Sequence, residues 1–222
     1  MSTNLASKVY ANSTNVNTPY LNLYANIILD CTFFIDNGNK FYIMFLVCGL
    51  TYALNSLEIP YSVTLISDEN FKVTIKNYDE PHSLKVLQRV FDCIFITRFY
   101  TSLANGMKFA VNNLHFQPQE ERPFRAFFVF SNGLDDQLYL SNEWKEKIFK
   151  SSPTHLNDKF GFTFIKGNEL NGDNLEKVKQ VWNNFENINK DKVRITKIIS
   201  DNPLTDYDNI SEEFVQMVSD TL

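Results

Sequence analysis

Residues 25–34 read Ala-Asn-Ile-Ile-Leu-Asp-Cys-Thr-Phe-Phe. Ala25 to Asp30 is a short apolar run that ends in an acid, which suits a strand buried on both faces at the centre of a sheet. The most apolar stretch of the chain, Phe41 to Leu54, follows shortly after. It falls short of the about 20 residues that a bilayer demands, and Gly49, Thr51 and Asn55 interrupt it or follow it. The reading is a buried helix over Lys40 to Leu57, and so a βα unit.

Working outward, Tyr61 to Ile66 reads as a second strand and Phe71 to Tyr78 as a third. In the third, Phe71, Val73 and Ile75 alternate with Lys72, Thr74 and Lys76. Ser67 to Asn70 is too short for a parallel crossover, so these two strands are expected to form an antiparallel hairpin with the alternating one at the sheet edge. Helices are expected at Ser83 to Cys93, behind Pro81, and at Leu103 to Leu114. Arg122 to Phe130 is the most hydrophobic strand, and it runs into the turn Ser131-Asn132-Gly133. A helix at Glu143 to Lys150, a strand at Gly161 to Ile165 and an amphipathic helix at Leu175 to Asn187 follow, the last with Val178, Val181, Trp182 and Phe185 on one face. A strand at Val193 to Ile199 and a helix at Ile210 to Leu222 close the chain. The alternation predicts an α/β fold, a Rossmann-like three-layer sandwich whose central sheet is mostly parallel with one antiparallel edge strand. With no internal repeat and no linker, residues 23–222 read as a single domain behind a partly flexible leader, residues 1–22, that lacks the apolar segment of a signal peptide.

Composition narrows the function classes. At 222 residues and 44% hydrophobic the chain can bury a sizeable core. Its 21 basic residues are scattered among 26 acids, for a net charge of −5, where nucleic-acid binding needs a concentrated positive face. The three cysteines, Cys31, Cys48 and Cys93, are odd in number and set in apolar surroundings. They read as reduced core thiols of an intracellular protein, cytoplasmic or nuclear. Neither a nucleic acid nor a membrane is expected as a partner.

In parallel sheets ligands bind beyond the carboxyl ends of the strands. Three loops fall there: Asp30-Cys31-Thr32-Phe33-Phe34, Phe99-Tyr100-Thr101-Ser102, and Ser131-Asn132-Gly133-Leu134-Asp135-Asp136. Oxygen-bearing side chains on three loops are the least that a hard cation such as Mg²⁺ requires. A strand followed by Asp-x-Thr, a hydrophobic helix, a short hairpin, a Thr before a helix, and a Phe-rich strand running into Ser-Asn-Gly-Leu-Asp-Asp together resemble the von Willebrand factor A (vWA) family and its metal-ion-dependent adhesion site. The resemblance spans roughly residues 20–200. Within the family, Leu50 to Ile59 with the hairpin, and Asn132 to Gln137, look closest to the carboxy-terminal vWA domain of midasin, the AAA+ ATPase of ribosome assembly.

The resemblance implies a metal site at Asp30, Thr32 and Thr101, with two departures. Phe34 stands where the family has a second hydroxyl, and Asn132 where it has a second Asp. Such a site is expected to be degenerate and to bind Mg²⁺ weakly or not at all, so no cofactor is expected. The resemblance also implies a non-catalytic protein-interaction module that docks a partner protein through Phe33, Phe34, Thr101, Asn132 and Leu134, on its own or within a larger intracellular assembly such as an AAA+ machine. Blander roles stand beside these: Asp30 and Thr101 serve equally as turn or capping residues, worth about 1 kcal/mol each, and Asn132-Gly133 is a common turn pair. Cys31 has no sequence signature that pairs it with His82, His115 or His155 as a base. The alternative, a Rossmann-like nucleotide-binding or hydrolytic domain, needs a Gly-rich phosphate loop after the first strand, where only Gly38 occurs.

Overall fold

The computed structural model describes residues 23–30, 37–66, 72–94, 103, 124–131, 158–165, 176, 179, 180, 182–184, 186, 187, 193–198 and 207–222. In chain order they form β1 (Leu23–Asp30), α1 (Asn37–Ser56), β2 (Tyr61–Ile66), β3 (Lys72–Lys76), α2 (Leu84–Ile94), β4 (Phe124–Ser131), β5 (Asp158–Ile165), β6 (Val193–Ile198) and α3 (Tyr207–Thr221). The sheet order is β3-β2-β1-β4-β5-β6. All neighbours pair in parallel except β2 and β3, which form the expected antiparallel hairpin, with β3 at the edge.

Local chemistry explains where the elements stop. Glu58 takes a positive φ of 58° just past α1, while Ile59 N–H donates to Leu54 C=O at 2.9 Å and Glu58 N–H to Asn55 C=O at 3.1 Å. This is the paired bonding of a Schellman cap, which satisfies carbonyls the helix would otherwise leave open. Leu54 and Ile59 join the core beside that cap. Pro60 C=O then accepts from Ala25 N–H at 3.0 Å, which delivers the chain to β2 alongside β1. At the start of α2, Ser83 Oγ accepts from Val86 N–H at 3.2 Å, an N-cap bond.

Register divides the sheet into two faces. Ala25, Ile27 and Leu29 of β1 lie beside Tyr61, Val63 and Leu65 of β2 and beside Ala126, Phe128 and Phe130 of β4. All of these pack in one cluster with Ile43, Val47, Leu50 and Leu54 of α1 and Phe214, Met217 and Val218 of α3. The opposite face is aromatic. Phe127 stacks on Phe160 at 4.8 Å between centroids, and the helical residue Trp182 lies 4.3 Å from Phe164 and 5.3 Å from Phe162. Helical residues therefore cover both faces, and burial of each large side chain contributes about 1.5–3 kcal/mol. Gly161, opposite Phe128, lets α3 rest on β5, since a Cβ there would stand 2.2 Å from Met217 Sδ and 3.0 Å from Thr221 Oγ1.

Three expectations need correction. Strict alternation along β3 put Lys76 on the solvent side, yet Lys76 is buried and Val73 is exposed. A register shift between Val63 and Thr64 leaves Ile75 as an extra residue, and this bulge reverses the phase of the strand at its end. Lys76 Nζ consequently donates to Tyr61 C=O at 2.7 Å and Asn77 C=O at 2.9 Å and lies 4.1 Å from the Tyr61 ring centroid. Burial lowers its pKa, against the pull of the Glu80 and Asp79 carboxylates. Second, Cys48 and Cys93 are free but only partly buried rather than core thiols. Third, Phe124 opens β4 exposed, whereas the rest of its aromatic run is core.

The leader, residues 1–22, the helix expected at Glu143 to Lys150, and the helix expected after Leu103 lie outside the described residues; Leu103 itself is helical and buried. No helix among the described residues is long and apolar enough to cross a membrane.

An edge strand is held by one neighbour, while β4 is held by two and covered on both faces. Backbone amides of Lys72 to Lys76 are therefore expected to exchange with deuterium faster than those of Ala126 to Phe130, measured residue by residue by NMR; the reverse order would contradict the topology.

Candidate functional site

The order of strands fixes where a site belongs. From β1 the chain proceeds outward to β2 and β3 on one side, and the later strands β4, β5 and β6 extend the sheet on the other. In open parallel sheets such a reversal opens a crevice at the carboxyl ends of the two strands that flank it, here β1 and β4. The last residues of those strands are Asp30 and Ser131, one step beyond the pair Leu29 and Phe130.

Both side chains are fully buried, and Ser131 Oγ donates to Asp30 Oδ2 at 2.7 Å. A hydrogen bond to a carboxylate in such surroundings is stronger than one in water, and it fixes the direction of the acid. Asp30 is thus more than the exposed turn or cap that the sequence equally allowed. Ser131, read from the sequence as part of a turn, belongs to the strand and is the residue that sequence reasoning missed. Its signal, a hydroxyl next to the Asn-Gly pair, acquires meaning only once β4 is known to lie against β1.

Of the residues expected at the site, the structure describes Asp30. Thr32, Phe33, Phe34, Thr101, Asn132 and Leu134 lie outside the described residues, as do Asp135 and Asp136. The described residues contain no group of three His, Cys, Asp or Glu side chains able to hold a metal ion.

The other polar clusters lie away from this corner. Arg125 Nε donates to Asp158 Oδ1 at 2.7 Å, and Nη2 donates to Oδ2, in a buried pair near the amino ends of β4 and β5. Severing such a pair costs about 3–5 kcal/mol, which suits a structural tie. On the same face, Ser62 Oγ donates to Asn26 Oδ1 at 2.5 Å, and burial raises the pKa of the neighbouring Tyr78 hydroxyl. His82 Nδ1 and the Tyr61 hydroxyl share a hydrogen bond of 2.6 Å. Burial, with the Glu80 carboxylate adding to it, pushes Tyr61 up to about 12, and burial together with Lys76 lowers His82. Tyr61 opens β2 at the amino end of the sheet, whereas Cys31 follows the carboxyl end of β1. The pairing of Cys31 with His82 as a base therefore gains no support.

These features define a class: a doubly wound α/β protein with a buried acid at its switch point and an antiparallel hairpin on one edge. Among solved structures the chain is similar to the conserved hypothetical protein BatB from Bacteroides thetaiotaomicron, at a TM-score of 0.47 and 15% identity over 88% of this chain and 98% of that one. It is also similar to a von Willebrand factor type A protein from Catenulispora acidiphila, at a TM-score of 0.46 and 10% identity over 89% of this chain and 42% of that one. No protein-family model matches the sequence, and no curated protein does.

The Asp30–Ser131 bond yields a direct expectation. Ser131→Ala should lower stability by about 1–3 kcal/mol, since the buried carboxylate loses a donor, and Ser131→Thr, which keeps the hydroxyl, should lose less. Urea unfolding midpoints of the two variants check this; equal losses would mean that the hydroxyl is not what matters at this position.

Proposed function

We propose that the chain is a non-catalytic protein-interaction module of vWA type, with a degenerate metal-ion-dependent adhesion site, that docks a partner protein through the loops following β1 and β4. The observation that carries this reading is the buried Asp30 carboxylate bonded to Ser131 at the switch point. In support of the reading, Asp30, the first acid of the resembled motif, ends β1 beside the switch point, and ligands of open parallel sheets bind at such points. Phe34 and Asn132, at motif positions where a hydroxyl and an acid would stand, remove one oxygen ligand and one negative charge. Docking in this reading uses apolar and hydrogen-bonding contacts around Phe33, Phe34 and Leu134, with Thr101 and Asn132 beside them. Membership of a larger assembly of the AAA+ kind, as for the midasin domain, rests on the sequence resemblance alone.

Calorimetric titration with Mg²⁺ and Mn²⁺ tests the degenerate site. The parent chain should give no binding heat at millimolar metal, while the combined change Phe34→Ser with Asn132→Asp should gain a saturable site. Tight binding by the parent, through Asp135 or Asp136, would contradict the proposal. The docking role is tested by substituting Phe33 and Leu134 with Asp and comparing the proteins captured from source cells with those captured by the parent. Identical captures would remove the assigned loops from the interface.

A further inference from the structure

The polar cluster at the amino end of the sheet joins three parts of the chain. Tyr61 opens β2, Lys76 ends β3, and His82 lies in the link from β3 to α2. Lys76 Nζ, which donates to Tyr61 C=O and Asn77 C=O, also stands 4.1 Å from the centroid of the Tyr61 ring. The hydroxyl of the same tyrosine is 2.6 Å from His82 Nδ1. One buried tyrosine thus meets a cation at its ring and a titratable imidazole at its tip.

The direction of that hydrogen bond depends on the protonation of His82. A neutral imidazole either accepts from the Tyr61 O–H at Nδ1 or, as the other tautomer, donates from it. Tyr61 keeps its own proton at neutral pH, since burial, with Glu80 adding to it, pushes the hydroxyl up to about 12. Tyr61 is 2% exposed, and among the described residues its hydroxyl bonds to His82 alone. Only the accepting tautomer gives that buried O–H a partner, so it is the favoured one while His82 is neutral. Protonation puts hydrogen on both ring nitrogens, which reverses the bond and orphans the hydroxyl proton. It also sets a second cation against the tyrosine that already holds the Lys76 ammonium. Of the other charged groups at this corner, Asp79 and Glu80 of the link favour the Lys76 charge and Arg89 of α2 opposes it, while Arg89 also pairs with Glu80. Glu58, past α1, and Lys85, in the first turn of α2, are exposed. The balance at His82 is a lowered pKa, through burial first and Lys76 second.

We propose that the Tyr61–His82 hydrogen bond is an acid-sensitive latch, which holds the link between β3 and α2, residues 77–83, on the amino end of β2 while His82 is neutral and releases it when His82 is protonated. The latch sits at the opposite end of the sheet from the strand-end loops, goes beyond their docking role and does not depend on it. A histidine whose pKa is lowered by folding contributes stability above its ordinary value of about 6.5, and that contribution is lost as the pH falls through the lowered value. Release therefore belongs to mildly acidic conditions.

Two NMR measurements on the full chain, between about pH 5 and 7.5, test the latch. The His82 ring signal, assigned by its loss in His82→Asn, should titrate with a midpoint below about 6.5. Amide-exchange protection of residues 77–83, corrected for the intrinsic rate at each pH, should fall about threefold to tenfold as His82 takes up its proton, the span that loss of one hydrogen bond gives. Protection in β4 should stay level over the same range. Tyr61→Phe, which lacks the hydroxyl, should show the lower protection of residues 77–83 at every pH, and His82→Asn, which does not titrate, should show no change with pH. A midpoint at or above 6.5, protection that does not follow the His82 titration, or an equal loss in β4 would each overturn the proposal. So would a pH response that survives in either variant, or protection in Tyr61→Phe as high as in the parent at neutral pH.

Discussion

The structure depends on the parallel pairing of β1 with β2 on one edge and β4 on the other. A parallel neighbour cannot be reached by a tight turn, so the pairing with β2 requires a crossover, and α1 supplies it. A strand held on both edges and covered on both faces must be apolar or have its polar side chains bonded, as Asn26 is by Ser62. Ala25, Ile27, Ile28 and Leu29 meet that demand and are all buried. The same arrangement leaves the final residue of β1 at the reversal of strand order, which is why an acid can stand there buried without lying in the middle of the core. Asp30 is tolerated because β4 ends beside it with a hydroxyl.

Where the sequence disclosed the fold and where it did not can be argued from single elements. β2 was legible at both ends because Pro60 and the polar residues after Ile66 bracket a run that is apolar or β-branched save for Ser62. The hairpin followed from loop length alone. β5 begins at Asp158, three residues before the expected Gly161, because a charged start does not look like a strand until Arg125 is known to lie opposite it. Lys76 was misplaced for a related reason: a bulge changes the phase of alternation and leaves no mark in a period-two pattern. For the candidate site, Asp30 was legible as the acid ending a strand, whereas Ser131 became meaningful only through the register between β1 and β4, two strands separated by most of the first half of the chain.

The polar groups of the described interior are sorted along the strands. At the amino end, the Arg125–Asp158 pair and the cluster of Tyr61, His82 and Lys76 satisfy one another and tie the hairpin and β5 to the sheet. At the carboxyl end, the Asp30–Ser131 bond stands next to loops whose sequence is rich in hydroxyl, amide and aromatic side chains. The division is the ordinary one in parallel sheets, where conformational stability is concentrated away from the edge that meets ligands.

The central claim is the placement of β1 between β2 and β4, since the switch point, the Asp30–Ser131 bond and the orientation of α1 all follow from it. Backbone cross-strand NOEs in an isotope-labelled chain test it most directly. The account predicts contacts from Ile27 both to Val63 of β2 and to Phe128 of β4, in one register along the length of β1. Contacts on one side only, or a register to β4 shifted by a residue so that Asp30 no longer meets Ser131, would contradict it.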